Sequence, residues 1–297
     1  MQIKIHPLTL KRITNRVVKR LPVAMPTRTH GVWDLFCGKM LPKHVAKNIA
    51  PFHRFVDTDE RFYRFLLLTI MCPIKEIGYY DCISFGAIPG MAQDTLKEGI
   101  VSPLDYHNKS MPIWFQKAIQ NTNWHDGLIF RRATADGNLI PFYKHLMQGK
   151  TRIVTVGPKH LTRLADVWPH ADITHYDTKF PKVFLFTKEG DDHFNYLHQQ
   201  LREDILSNDY TVYLFQAGAV SQYYIYDLFL TKKNHAYFDI GRSLNIWTPS
   251  PSGEPPGGWF FNNRATILNS CGEFLQRHMS SDDYMLLTNG PTEPRHV

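Results

Sequence analysis

The chain has 297 residues, 43% of them apolar and 21% charged, with a formal charge of +7. This is an ordinary globular composition that allows a sizeable core. It offers no apolar run long enough to span a bilayer (Phe65–Cys72 is among the longest), no secretory signal after Met1, and no metal-ligand spacing among Cys37, Cys72, Cys82 and Cys271, so reduced thiols are expected.

Seven cations, from Lys4 to Arg28, precede the first acid, Asp34. Within that stretch Leu10, Ile13, Val17 and Leu21 recur at helical spacing, which predicts a short basic amphipathic helix ending near Pro22. Its basic side is either a solvated face or a contact for an anionic surface: lipid headgroups, a phosphorylated acceptor or nucleic acid. A loop follows, then an aromatic helix over about Glu60–Cys72. Asp57-Thr58-Asp59 before it matches a DxD metal–diphosphate pattern, but with Glu60 it fits a helix capping box better. Strands are expected at Asp81–Ala87 and Gly127–Ala133, and a helix near Asn138–Gln148.

Beyond residue 150 the alternation is regular. Arg152–Val156, Ala171–Tyr176, Lys182–Thr187, Tyr210–Phe215 and His235–Ile240 read as strands; Lys159–Val167, His193–Leu206 and Val220–Leu230 read as helices. Thr248–Gly258, rich in Pro, Gly and Ser, reads as a loop and Cys271–Met279 as a closing helix. The fold class is therefore α/β: a Rossmann-like, mostly parallel sheet flanked by helices over 76–297, with a helical N-terminal extension over 1–75 packed on it.

Ligands of parallel sheets bind beyond the carboxyl ends of the strands. Three such ends stand out. Gly157-Pro158-Lys159-His160 is a strand-to-helix turn whose amides suit an anion. Gln216-Ala217-Gly218 with Ser221 repeats that logic with small residues. Asp239-Ile240-Gly241-Arg242 ends a strand with an acid suited to sugar hydroxyls and a cation suited to phosphate. Each also has a plainer reading: a tight turn at Gly157, close helix packing at Gly218, and a mutual ion pair for Asp239 and Arg242. There is no GxGxxG or Walker sequence.

The run TRIVTVGPKHL, YTVYLFQAGAVSQYYIYDLF and HAYFDIGRSLNIW resembles the C-terminal half of the GT-D-type glycosyltransferases, with a weaker likeness at DCISFGAIPG and KEGIVSPLDYH. The resemblance implies transfer of a sugar from a nucleoside-diphosphate donor, a UDP-sugar first among them, to a glycan or glycolipid hydroxyl. The family's Asp-x-Glu metal motif is replaced here by Ala87 and Pro89. Metal-independent transfer is expected, with Mn²⁺ or Mg²⁺ retained only if Asp81 or Asp94 substitutes. Asp94, His160 and Asp81 are the candidate catalytic groups, each with a plainer reading as a helix cap, a surface histidine or a surface strand end. Trp259 and Phe260 are candidates for stacking on the acceptor sugar, or else anchor their loop to the core. The Tyr223, Tyr224 and Tyr226 cluster reads as helix packing. A cytoplasmic protein is expected, peripheral at a membrane through residues 1–21 at most. The rival readings are another Rossmann-like transferase, such as a methyltransferase, and a basic nucleic-acid-binding module. No nucleic-acid-binding motif is present, so no nucleic-acid partner is expected.

Overall fold

The structure is a computed structural model that describes residues 3–28, 32, 36, 60–83, 100–101, 112–127, 129–130, 139–179, 188–241, 243–248, 276 and 281. Its C-terminal sheet is built from β2 (Val23–Met25), β7 (Arg152–Gly157), β8 (Ile173–Asp177), β9 (Thr211–Phe215) and β10 (Ala236–Asp239), in the order β2-β10-β9-β7-β8. Every pairing in it is parallel. The second sheet runs β3 (Thr27–Arg28), β4 (Asp81–Ile83), β6 (Trp124–Asp126), β1 (Ile3–His6) and β5 (Ile100–Val101), parallel except for β5 against β1. The mostly parallel α/β architecture expected from the sequence is therefore present.

One run of chain joins the two sheets. Val23–Met25 pair with β10 and Thr27–Arg28 with β4, and between them Tyr80 N–H donates to Ala24 O and Cys82 N–H to Pro26 O. The carboxyl ends of the parallel strands in both sheets thus share one edge. The sequence reads 3–6 and 23–28 as part of a helical extension, yet both are strands. They are too short for a period of two to show. Val23, Ala24 and Met25 are all fully buried, so the polar–apolar alternation of a half-exposed strand is absent.

Helices cover both faces. On the first, Val23, Ile153, Val212, Leu214 and Phe238 meet Ile13 and Val17 of α1 (Leu10–Val18). They also meet Phe142 and Leu146 of α4 (Leu139–Gln148), and Leu161 and Leu164 of the 3₁₀ turn Lys159–Arg163 and the short α5 (Leu164–Val167). On the second, Val154, Tyr213, Phe215 and Tyr237 meet α6 (Lys188–Ser207) through Leu197, Leu201 and Ile205, and α7 (Ala219–Thr231) through Val220, Tyr224 and Leu228. α2 (Glu60–Met71) packs on α7, with Phe65 against Tyr223 and Tyr226, and against α3 (Ile113–Asn121). Tyr224 is buried and its two neighbours half-buried, which is packing.

Two boundaries differ from expectation for identifiable reasons. α1 stops at Val18, because Arg20 takes a left-handed conformation (φ 50) and the amides of Arg20 and Leu21 cap the carbonyls of Val17 and Arg16. Leu21 is thereby turned out of the apolar stripe and is 40% exposed. The strand expected at Gly127–Ala133 lies earlier, at Trp124–Asp126, and Ile129 and Phe130 are helical. Gly127 is a turn pressed onto β4: a Cβ there would meet Ile83 backbone at 2.8 Å. The candidate strand Lys182–Thr187, most of the loop Thr248–Gly258, the DxD run Asp57–Asp59 and all of Cys271–Met279 but Gln276 lie outside the described residues.

Candidate functional site

β7 and β9 are neighbours, and their following connections leave on opposite faces. The 3₁₀ turn after β7 packs on the first face through Leu161, and α7 after β9 packs on the second through Val220. Such a divergence opens a crevice at the carboxyl edge of the sheet. Its two sides are Gly157-Pro158-Lys159-His160 and Gln216-Ala217-Gly218, so the structure brings together two loops that the sequence singles out separately.

Gly157 is needed for contact between the sides. A Cβ there would meet Leu161 Cδ1 at 2.7 Å and Gln216 Cβ at 3.1 Å. Gly218 has φ 56 and ψ −135, a conformation open essentially to glycine alone, and it begins α7 with no side-chain cap. Ser221 N–H donates to Gly218 O, so the amides of Ala219 and Val220 stand at the start of α7, where the helix dipole is positive. Ser221 is fully buried; its hydroxyl accepts from Ala217 N–H at 3.1 Å, so it shapes the turn from within. Lys159 is exposed.

Asn245, in the 3₁₀ segment Ser243–Ile246, links the two sides. Its Oδ1 accepts from Gln216 Nε2 at 2.9 Å and lies 3.2 Å from His160 Nε2. Tyr143 OH and Ser243 Oγ, 2.7 Å apart, fasten the same segment to α4. His160 and Gln216 stand out in the sequence and Asn245 does not, because an Asn six residues beyond a strand end carries no motif. His160 is half-buried and held in a network, unlike a free surface histidine. Beside it His175 Nδ1 lies 2.9 Å from Thr155 Oγ1, and burial, with His160 nearby adding to it, lowers the His175 pKa to about 4. Gln216 Oε1 and His175 Nε2 are buried with no hydrogen-bond partner among the described residues. Buried polar atoms without partners are costly, and a ligand group between the β7 and β9 loops would supply what Gln216 Oε1 lacks.

Asp239 ends β10, beside Phe215 of β9. Its Oδ1 accepts from Gly241 N–H at 3.3 Å, while Oδ2 is buried without a partner among the described residues. Burial pushes its carboxyl up to about 7, against the opposing effect of the Gly241 and Thr27 backbone and of Arg28. Gly241 has φ 54 and lies in open space. Asp81 is not a surface strand end. It is 4% exposed and pairs with the fully buried Arg28 at 2.6 Å. Arg28 also donates to Thr69 Oγ1 of α2 and lies over the Trp124 ring. The pair is underneath α2, in the body of the fold. Arg242, Asp94, Trp259 and Phe260 lie outside the described residues, so neither the Asp239–Arg242 pair nor the acceptor-stacking reading meets a described geometry.

Among the described residues no group of three or more His, Cys, Asp and Glu side chains forms a metal-holding cluster. Asp81, the one described carboxylate considered as a replacement ligand, is committed to Arg28. Among the described residues, no helix is long and apolar enough to cross a membrane. Comparison with family models, curated proteins and solved structures finds no match to this chain.

Proposed function

We propose that the chain is a nucleotide-sugar-dependent glycosyltransferase whose donor sits in the β7–β9 crevice. The observation that carries this reading is the divergence of the chain after β7 and β9, which sets a glycine turn, an uncapped helix start and partnerless polar atoms around one cleft. The uncapped start of α7 and the cation of Lys159 suit a diphosphate. Asp239, whose carboxyl burial pushes up to about 7, suits a hydroxyl of ribose or sugar. The likeness of these loops to GT-D-type enzymes supports the sugar-transfer chemistry in particular.

In the proposed reaction the acceptor oxygen forms a bond to the anomeric carbon while the bond from that carbon to the diphosphate oxygen breaks. The diphosphate leaves with the electron pair, stabilised by the α7 amides and Lys159. The acceptor proton passes to His160, oriented by Asn245. The test is a hydrolysis screen across a panel of nucleotide sugars, with and without chelator. One nucleotide sugar should release nucleoside diphosphate in both conditions. Thermal stabilisation by S-adenosylmethionine with no turnover of any nucleotide sugar would replace this reading with a methyltransferase.

A further inference from the structure

On the first face, the stretches that carry α1 and α4 hold no acid, although the neighbouring α5 carries the exposed Asp166. Residues 1–33 and 137–165 contain no Asp or Glu. The fold places helices from these two acid-free stretches side by side, α1 against α4. Two of the nearby cations have structural duties. Arg16 donates to Pro22 O at 2.6 and 2.9 Å, and Arg12 lies over the Tyr80 ring. Lys11, Lys19, Arg20 and Lys150 are exposed. At the C-terminal end of α1, among these charges, Val18 is 55% and Leu21 40% exposed. The left-handed residue Arg20 is what turns Leu21 outward, so the backbone itself sets an aliphatic side chain between cations.

We infer that this α1–α4 face docks on an anionic lipid surface, with Lys11, Lys19, Arg20 and Lys150 meeting headgroups and Val18 and Leu21 entering the acyl boundary. Charge complementarity sets the sign of the partner. The aliphatic tip selects lipid over nucleic acid. A single strand is held by stacking on exposed aromatic rings, and α1 carries none. A duplex offers no apolar layer for Val18 and Leu21, whereas a bilayer interface does. Lys159 and the crevice turn after β7 lie on the same side of the sheet as α1, so docking in this way would turn the first-face wall of the cleft toward the membrane. The inference stands apart from the proposed reaction, because it needs no donor and no turnover.

The experiment is co-sedimentation of the full chain with vesicles of phosphatidylcholine alone and with added phosphatidylserine, at low and high salt. Binding is expected only with phosphatidylserine, falling at least tenfold from low to high salt. Lys11→Glu combined with Lys19→Glu should lower partitioning at least tenfold. Val18→Ser with Leu21→Ser should lower it several-fold while the salt dependence remains. These positions leave buried Ile13 and Val17 untouched, and matching circular dichroism and Tm would certify each variant's fold. Equal binding to both vesicle types, a salt-independent wild type, or displacement from vesicles by single-stranded or duplex nucleic acid would overturn the inference. The wild-type salt series decides the matter even if a variant fails to fold.

Discussion

Gly157 and Gln216 end neighbouring strands at the point where the chain diverges to opposite faces, and only the missing side chain of Gly157 lets them meet. Gly157→Ala places a Cβ 3.1 Å from Gln216 Cβ and 2.7 Å from Leu161 Cδ1. The neighbours are packed on the sheet, so the cost is overpacking of about 1–3 kcal/mol. A lower midpoint in urea with an unchanged slope is expected, together with weaker nucleoside-diphosphate binding by calorimetry. Wild-type stability would show that Gln216 and Leu161 relax freely and that the two sides are not in firm contact.

Gly218 makes a poorer probe of ligand contact than its sequence context suggests. From sequence alone, Gly218→Val should weaken diphosphate binding and leave the fold intact. With φ 56 and ψ −135, valine there adds backbone strain of order 1–3 kcal/mol, so stability falls along with affinity. Lys159→Ala separates the two effects. Its side chain is exposed, so stability should change by no more than about 0.5 kcal/mol. A lost charge-assisted contact to phosphate, worth about 1.5–3 kcal/mol, should weaken nucleoside-diphosphate affinity about tenfold or more. Unchanged affinity would remove Lys159 from the donor site.

The C-terminal half of the fold is the more legible in the sequence because its central elements are longer and are bounded by turn residues. β7, β9 and α7 are mostly apolar segments bounded by glycine or a turn, and their ends fall within a residue or two of expectation. The N-terminal half is harder to read. β1, β2 and β3 are two to four residues long, and their partners are set by backbone bonds to strands far along the chain. Gly157, His160, Gln216 and Gly218 are legible as strand-end residues. The convergence of His160 and Gln216 on Asn245 is not, since it depends on a 3₁₀ segment held in place by Tyr143 and Ser243.

Arg28 and Asp81 carry a second prediction about stability. Arg28 is fully buried and its ion pair sits beneath α2, so Arg28→Ala strands the buried Asp81 carboxylate without its cation. Breaking one side of a buried pair costs about 3–5 kcal/mol. Replacing both groups, as Arg28→Met with Asp81→Leu, should restore much of that loss. A double-mutant cycle by denaturant unfolding checks it. Near-additive losses would mean that the two charges are not coupled.

Asp239 makes stability depend on pH in the direction opposite to the buried histidines. Its carboxyl is pushed up to about 7 by burial, whereas an unfolded Asp titrates near 4. Between those values the unfolded chain has lost this proton and the folded chain keeps it. The folded state therefore binds more protons, and the contribution of Asp239 to stability falls as pH rises from about 4 to about 7. His125 and His175 act the other way. Burial lowers both to about 4, so the unfolded chain takes up their protons first, and stability falls as pH drops from about 6.5 toward 4. In the wild type the two trends oppose each other over the same window. Asp239→Asn keeps an oxygen to accept from Gly241 N–H and removes the titration. Its Tm should exceed that of the wild type at pH 8, and the advantage should shrink steadily toward pH 4. The variant should also lose stability more steeply on acidification, because the histidines are then uncompensated. A Tm difference that stays constant across pH 4–8 would show that Asp239 is ionised in the folded protein, with a partner for Oδ2.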